Sequence, residues 1–362
     1  MNIKDINIDI KKNTPTNILL ELATGVGKTK CILDIIKYYQ HNSILVVVPK
    51  RVLINNWKDE IHKWNYDGYL SNIEFICYNS FKKDKLKHYN IIIFDEAHHI
   101  SDRIIKELSQ YKYADNYFLL SATINKNKMF DFYNIFKPIK IYNIDLNNAI
   151  ESNKLPTPNL VLLQLELDEK QRNEYNKMME EIIYLQRNQN TIWNTRKYLR
   201  KCLDRNIWLS NQKTLIIKQL LKLYSHYRTI TFCNSIKQTK EFSSNCINSK
   251  NINSTTILDK FNSKKINHIT ACNMLDEGVN LSNCQVGIFA MLSASNRLIL
   301  QRIGRILRHS NPIIIIPYYT NTRDEEIVNK MLIDCKGKIL RCNTNSINRA
   351  KLKLNKNKIK KN

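Results

Sequence analysis

With 362 residues, 43% hydrophobic and 25% charged, the chain has the size and balance of a soluble globular protein with room for two domains. Its 57 Lys and Arg against 32 Asp and Glu leave a net charge of +25, which suits a polyanionic partner; surface Lys used by default in a chain rich in Asn, Ile and Lys would raise the charge as well. No apolar stretch approaches the ~20 residues of a membrane span, the start Met1-Asn2-Ile3-Lys4-Asp5 lacks a signal-peptide core, and the nine cysteines match no common zinc spacing. No membrane and a reducing, intracellular setting are therefore expected.

The first elements are short Ile/Val/Leu runs at 18–22, 44–48, 73–78, 91–94 and 117–120, each followed by a helix-length segment. Runs of this kind read as strands buried on both faces of a parallel sheet. The first leads into Ala23-Thr24-Gly25-Val26-Gly27-Lys28-Thr29, a glycine-containing turn that opens a helix. In such a loop Gly25 and Gly27 let backbone amides, including those of Thr24 and Val26, approach phosphates. Lys28 reaches the β- and γ-phosphates, and the Thr29 hydroxyl ligates magnesium. Leu22 stands where the full eight-residue pattern has Gly.

The fourth run delivers Asp95 and Glu96 to a strand end, where α/β proteins bind ligands. Asp95 can hold magnesium through water and Glu96 can orient or deprotonate an attacking water; two acids at this place can also simply cap a helix. Ser121-Ala122-Thr123 closes the fifth run, and its hydroxyls equally suit a cap.

Leu155-Pro156-Thr157-Pro158 reads as a stiff extended connector. The stretch from about 168 to 227 has neither Gly nor Pro and reads as helical. Arg196, Lys197, Arg200, Lys201 and Arg205 form one basic helix face there, a candidate for phosphate contacts. Trp193, Tyr198, Leu199, Leu203, Ile207 and Trp208 are expected to be its packed side.

A second series of strand-like runs follows at 229–233, 268–272, 286–292 and 313–316. Asp276-Glu277-Gly278-Val279-Asn280 places Gly278 where a backbone turn can approach a ligand. In Gln301-Arg302-Ile303-Gly304-Arg305-Ile306-Leu307-Arg308, Arg305 and Arg308 can neutralise charge developing on a γ-phosphate, or form a basic nucleic-acid-binding face; Gln301 and Gly304 stand at the offsets that favour catalysis. From Arg349 to the end the chain carries seven basic residues and no acidic one, a tail able to bind polyanions without sequence preference.

In this order the segments resemble the motifs of superfamily 2 helicases and translocases, from motif I at 23–29 and Ia at Val48-Pro49-Lys50-Arg51 to II at Asp95-Glu96-Ala97-His98, III at 121–123, IV near 232–235, V at 276–280 and VI at 301–308. The resemblance covers nearly all of residues 17–320 and implies an α/β protein of two tandem RecA-like domains, with ATP and Mg2+ between them and nucleic acid across their top. It implies that His98, with Ser121 and Thr123, couples the nucleotide to Gln301. It also places Pro49, Lys50, Arg51, Tyr78, Asn79, Ser80, Asn234 and Ser235 near the nucleic-acid backbone. No glutamine-bearing adenine element is recognisable before Ala23, and Asn280 stands where many relatives have Asp.

The expected organisation is a first RecA-like domain at 1–150, a connector and helical region at 151–212, a second RecA-like domain at 213–340 and a basic tail at 341–362. Asp-Glu-Ala-His-His, the helical region and Gly-Arg-Ile-Leu-Arg look more like DNA-acting relatives, so a DNA helicase or translocase is expected, in the cytoplasm or at a viral replication site; the sequence leaves the oligomeric state open, a monomer included. An RNA helicase, or a basic scaffold with a degenerate ATP site, is the alternative.

Overall fold

The computed structural model describes residues 3–39, 43–189, 191–248, 250–272 and 281–346. The chain divides into two compact units, one ending at Leu155 and the other beginning at Pro156.

The first unit runs α1 (Ile3–Asn13), β1 (Asn17–Leu22), α2 (Lys28–Tyr39), β2 (Ile44–Val48), α3 (Arg51–Lys63), β3 (Ile73–Cys77), β4 (Tyr89–Asp95), α4 (Asp102–Gln110), β5 (Ala114–Ser121), α5 (Lys126–Ile135), β6 (Ile139–Ile144) and α6 (Leu146–Glu151). Its six strands are parallel, in the order β3-β2-β4-β5-β1-β6. Ile91, Ile92, Ile93 and Phe94 are fully buried, as a strand covered by helices on both faces must be. After β1 the chain crosses β5 and β4 to reach β2. Such a reversal leaves a crevice at the carboxyl edge of a parallel sheet. The turns after β1, β2, β3, β4 and β5 all leave from that edge.

The second unit contains β7 (Asn159–Leu165), α7 (Glu169–Arg187), α8 (Ile192–Gln212), α9 (Thr214–Leu223), β8 (Thr229–Phe232), α10 (Ile236–Phe242), β9 (Cys246–Ile247), α11 (Ser254–Asn262), β10 (His268–Ala271), β11 (Val286–Phe289), α12 (Asn296–Ile306), β12 (Ile313–Tyr319), α13 (Arg323–Asp334) and β13 (Lys338–Asn343). These seven strands are also parallel, in the order β13-β7-β12-β11-β8-β10-β9. The expected helical stretch is α7 to α9. A capping box of Asp168 and Gln171 starts it. A buried ion pair, Lys213 Nζ to Asp324 Oδ2 at 2.6 Å, fastens the α8–α9 junction to α13.

One expectation about α8 fails. Trp193, Leu199 and Leu203 are 68%, 59% and 50% exposed, whereas Arg205, Leu209 and Ser210 are buried. The helix packs deeply only through its carboxyl-terminal part, so its first turns carry apolar side chains into solvent beside Arg196, Lys197 and Arg200. The turn at Gly278, with the rest of 276–280, and residues 347–362 of the basic tail lie outside the described residues. Residues 341–343, which the sequence groups with the tail, end β13. Among the described residues no helix is long and apolar enough to cross a membrane.

Gly287 of β11 sets how closely α12 can approach the second sheet. A Cβ there would lie 2.0 Å from Ile306 Cδ1 and 3.2 Å from Ile306 Cγ1. The helix carrying Gln301 and Arg305 is thus seated by the absence of one side chain. We expect Gly287→Ala to destabilise the protein by about 1–3 kcal/mol, the usual cost of overpacking. Thermal unfolding followed by circular dichroism checks this, and an unchanged midpoint would mean that α12 has room to move.

Candidate active site

The phosphate-loop candidate spans the gap between β1 and α2. Ala23 is held at its start by a hydrogen bond from its N–H to Ile144 O on β6, 2.8 Å. Gly25 and Gly27 adopt φ values of 95° and 100°, a region that side-chain-bearing residues rarely enter. Thr24 precedes and Val26 lies between these glycines, and the Val26 N–H closes the turn on Ala23 O at 3.4 Å. Lys28 and Thr29 are the first two residues of α2, whose unsatisfied amino-terminal N–H groups favour an anion.

Asp95 is the last residue of β4 and is buried. Both its carboxylate oxygens are held: Oδ1 accepts from Glu96 N at 2.9 Å, and Oδ2 accepts from the indole Nε1 of Trp57 at 2.9 Å. Its backbone carbonyl accepts from the Tyr78 hydroxyl, also at 2.9 Å. Burial pushes the Asp95 carboxyl up to about 6, and the nearby Glu96 charge adds to this, while the Trp57 hydrogen bond and the Lys28 charge oppose it. A divalent cation would reverse that balance.

Glu96 occupies the left-handed region, φ 49° and ψ 55°, a conformation that costs a non-glycine residue roughly 1–3 kcal/mol. It turns the chain so that Glu96 Oε1 faces Lys28 Nζ at 3.7 Å. Lys28 Nζ and Glu96 Oε2 are both buried and have no hydrogen-bond partner. A triphosphate with magnesium fits the chemistry of this donor set, because its oxygens would accept from the ammonium and the cation would balance the carboxylates. Thr29 and Asp95 would hold that magnesium.

His98 sits in the short turn Ala97–His99. Its Nδ1 is 3.0 Å from Ser121 Oγ and 3.5 Å from Glu96 Oε2. Ser121 Oγ donates to Thr123 O at 3.0 Å, so the hydroxyl is left to accept from His98 Nδ1–H. Thr123 Oγ1 is buried without a hydrogen-bond partner. The structure therefore joins His98, Ser121 and Thr123 in one chain beside Glu96. Two further residues, which nothing in the sequence singles out, brace it. Lys128 donates to the carbonyls of His98 and Ile100, and Glu21 Oε1 accepts from Ile124 N at 2.8 Å.

Pro49, Lys50 and Arg51 leave β2, and Ser80 follows β3; these strands are neighbours, with Val48 opposite Cys77. Lys50, Arg51, Asn79 and Ser80 are exposed, whereas Tyr78, expected beside them, is buried and turned inward to Asp95. On the second unit, Ser235 caps α10, accepting from Gln238 N at 3.2 Å. Asn234 donates to Ile207 O and Asn211 Oδ1 of α8 at 3.3 and 3.1 Å. Gln301 and Arg305 are buried in α12, with Gln301 Oε1 lacking a hydrogen-bond partner, and Arg308 is exposed just beyond the helix. Arg302, next to Gln301, lies over the Phe232 ring at 5.2 Å.

Among protein families, the model for the "Type III restriction enzyme, res subunit" matches residues 2–126, and that for the "Helicase conserved C-terminal domain" matches residues 212–310. The chain is 24% identical over 331 residues to the DNA 3'-5' translocase XPB2 of Sulfurisphaera tokodaii, the match covering 80% of this chain and 74% of that protein. Of solved structures, S. cerevisiae Dbp5 bound to RNA and ADP BeF3 is similar with a TM-score of 0.69 at 12% identity, covering 98% of this chain and 92% of that one. The Pyrococcus furiosus Hef helicase domain is similar with a TM-score of 0.53 at 15% identity, covering 91% and 97%. Family models for both parts of a helicase are matched in order along two parallel-sheet units, and the chain belongs to the superfamily 2 helicases and translocases.

Proposed function

We propose that the protein couples ATP hydrolysis to movement along nucleic acid, preferably DNA. The observation that carries this reading is the cluster of Lys28, Asp95 and Glu96, which holds a buried ammonium and a buried carboxylate oxygen without hydrogen-bond partners at the sheet edge after β1 and β4. In this reading Gly25, Gly27 and the start of α2 cradle the phosphates, Lys28 binds the β- and γ-oxygens, and Glu96 accepts a proton from the attacking water. Magnesium, held by Thr29 and Asp95, would neutralise charge on the transferred phosphoryl group.

Arg305 and Arg308 would neutralise charge developing on the γ-phosphate, a contribution of about 10³–10⁵ in rate. Gln301, His98, Ser121 and Thr123 would report the nucleotide's state to the strand, with Gly278 supplying a backbone approach. Lys50, Arg51 and Ser80 of the first unit, with Pro49, and Asn234 and Ser235 of the second, would track phosphates. An intracellular site of action goes with this reading.

Lys28→Ala and Glu96→Gln should each abolish nucleic-acid-stimulated phosphate release, Glu96→Gln by about 10²–10⁴-fold, with circular dichroism unchanged. Retained turnover in Glu96→Gln would remove Glu96 as the base.

DNA is supported by the similarity to a protein named as a DNA translocase. The structural likeness to an RNA-bound protein rests on 12% identity and supports the fold alone. Phosphate release should be stimulated more by single- or double-stranded DNA than by RNA at one fixed salt concentration, since affinity for polyanions changes steeply with salt. Equal or greater stimulation by RNA overturns the preference.

A further inference from the structure

Trp57 belongs to α3, the helix that begins at Arg51, and Tyr78 begins the turn that contains Ser80. Each of these segments carries exposed candidates for nucleic-acid contact at the sheet edge, and each sends one aromatic side chain inward. Both side chains end on Asp95. The Trp57 indole N–H takes carboxylate Oδ2, and the Tyr78 hydroxyl takes the backbone carbonyl. Trp57 is 2% and Tyr78 6% exposed, so neither contact competes with water.

A buried indole needs only some acceptor, and a backbone carbonyl would serve. Here it is given one oxygen of a buried carboxylate, whose other oxygen is already held by the Glu96 N–H. That leaves the carboxylate little freedom to rotate. Its orientation follows α3.

We infer that Trp57 and Tyr78 are positioning residues that fix Asp95 in the orientation that receives magnesium, and that they transmit to it displacements of the two segments facing the strand. Nucleic acid bound at Lys50, Arg51 and Ser80 thus alters magnesium affinity through two aromatic hydrogen bonds. This account rests on the proposed role of Asp95 in holding magnesium and adds the route by which the strand reaches it.

The test measures binding of the fluorescent, non-hydrolysed analogue mant-AMP-PNP to the full chain across magnesium concentrations, with and without oligo(dT). For the wild type, oligo(dT) should lower the half-saturating magnesium concentration. Trp57→Phe should raise that concentration about tenfold, as expected on losing a hydrogen bond to a charged acceptor. Tyr78→Phe, which removes a single hydroxyl, should weaken the oligo(dT) effect, and the double variant should abolish it. Excess magnesium should restore analogue binding in each. If Trp57→Phe does not fold, a benzothienylalanine at position 57 keeps the shape of the indole and removes only its N–H.

Magnesium dependence and an oligo(dT) effect equal to the wild type in these variants would make both residues core packing only and overturn the inference. Analogue binding that is independent of magnesium in the wild type would instead overturn the reading of Asp95 itself, and the inference with it.

Discussion

Three ionisable side chains crowded together at one sheet edge, Asp95 buried and Lys28 and Glu96 half-buried, impose the main constraint on this protein. Lys28, Asp95 and Glu96 come from two strand ends separated in the sheet by β5, and their charges are only partly compensated by one another. Burying charge is costly unless partners complete it. The surrounding architecture is what makes the arrangement tolerable. Glycines at positive φ open the loop, a left-handed Glu96 turns its carboxylate toward Lys28, and Trp57 and the Glu96 amide satisfy Asp95. Local strain and incomplete pairing at one sheet edge are what a site organised for an incoming charged ligand requires.

The candidate nucleotide site is largely legible in the amino-acid sequence. Ala23 to Thr29 and Asp95-Glu96 are local signals, in which residue type and spacing dictate backbone geometry. Strands such as β2 and β4 stand out because both faces are buried and nearly every position is apolar. The strands that do not stand out are mostly at sheet edges. In β6 and β13 exposed Lys140, Asn143, Lys338 and Asn343 interrupt the apolar pattern, which is how edges normally look. β7 is a buried apolar strand, but it follows the proline connector directly and merges with it in the sequence pattern.

The features of the site that the sequence hides are contacts made over long separations. Trp57 shares one face of α3 with Leu53 and Ile61, a spacing that reads only as core. Nothing in that pattern says that its N–H meets a carboxylate 38 residues away. The same holds for Lys128 under His98 and for Glu21 under the turn after Ser121. The reverse holds on α8, where helical spacing implies a packed stripe for Trp193, Leu199 and Leu203 that solvent in fact reaches. Periodicity identifies a helix face without saying how far along the helix its partner extends.

The claim on which all of this depends is that the Lys28, Asp95 and Glu96 cluster is completed by a magnesium-bound triphosphate. Isothermal titration of the full chain with AMP-PNP, in magnesium and then in EDTA, tests it most directly. The account predicts one site per chain whose affinity falls sharply when magnesium is withdrawn. Affinity that is unchanged in EDTA, or no heat of binding in either condition, would contradict it.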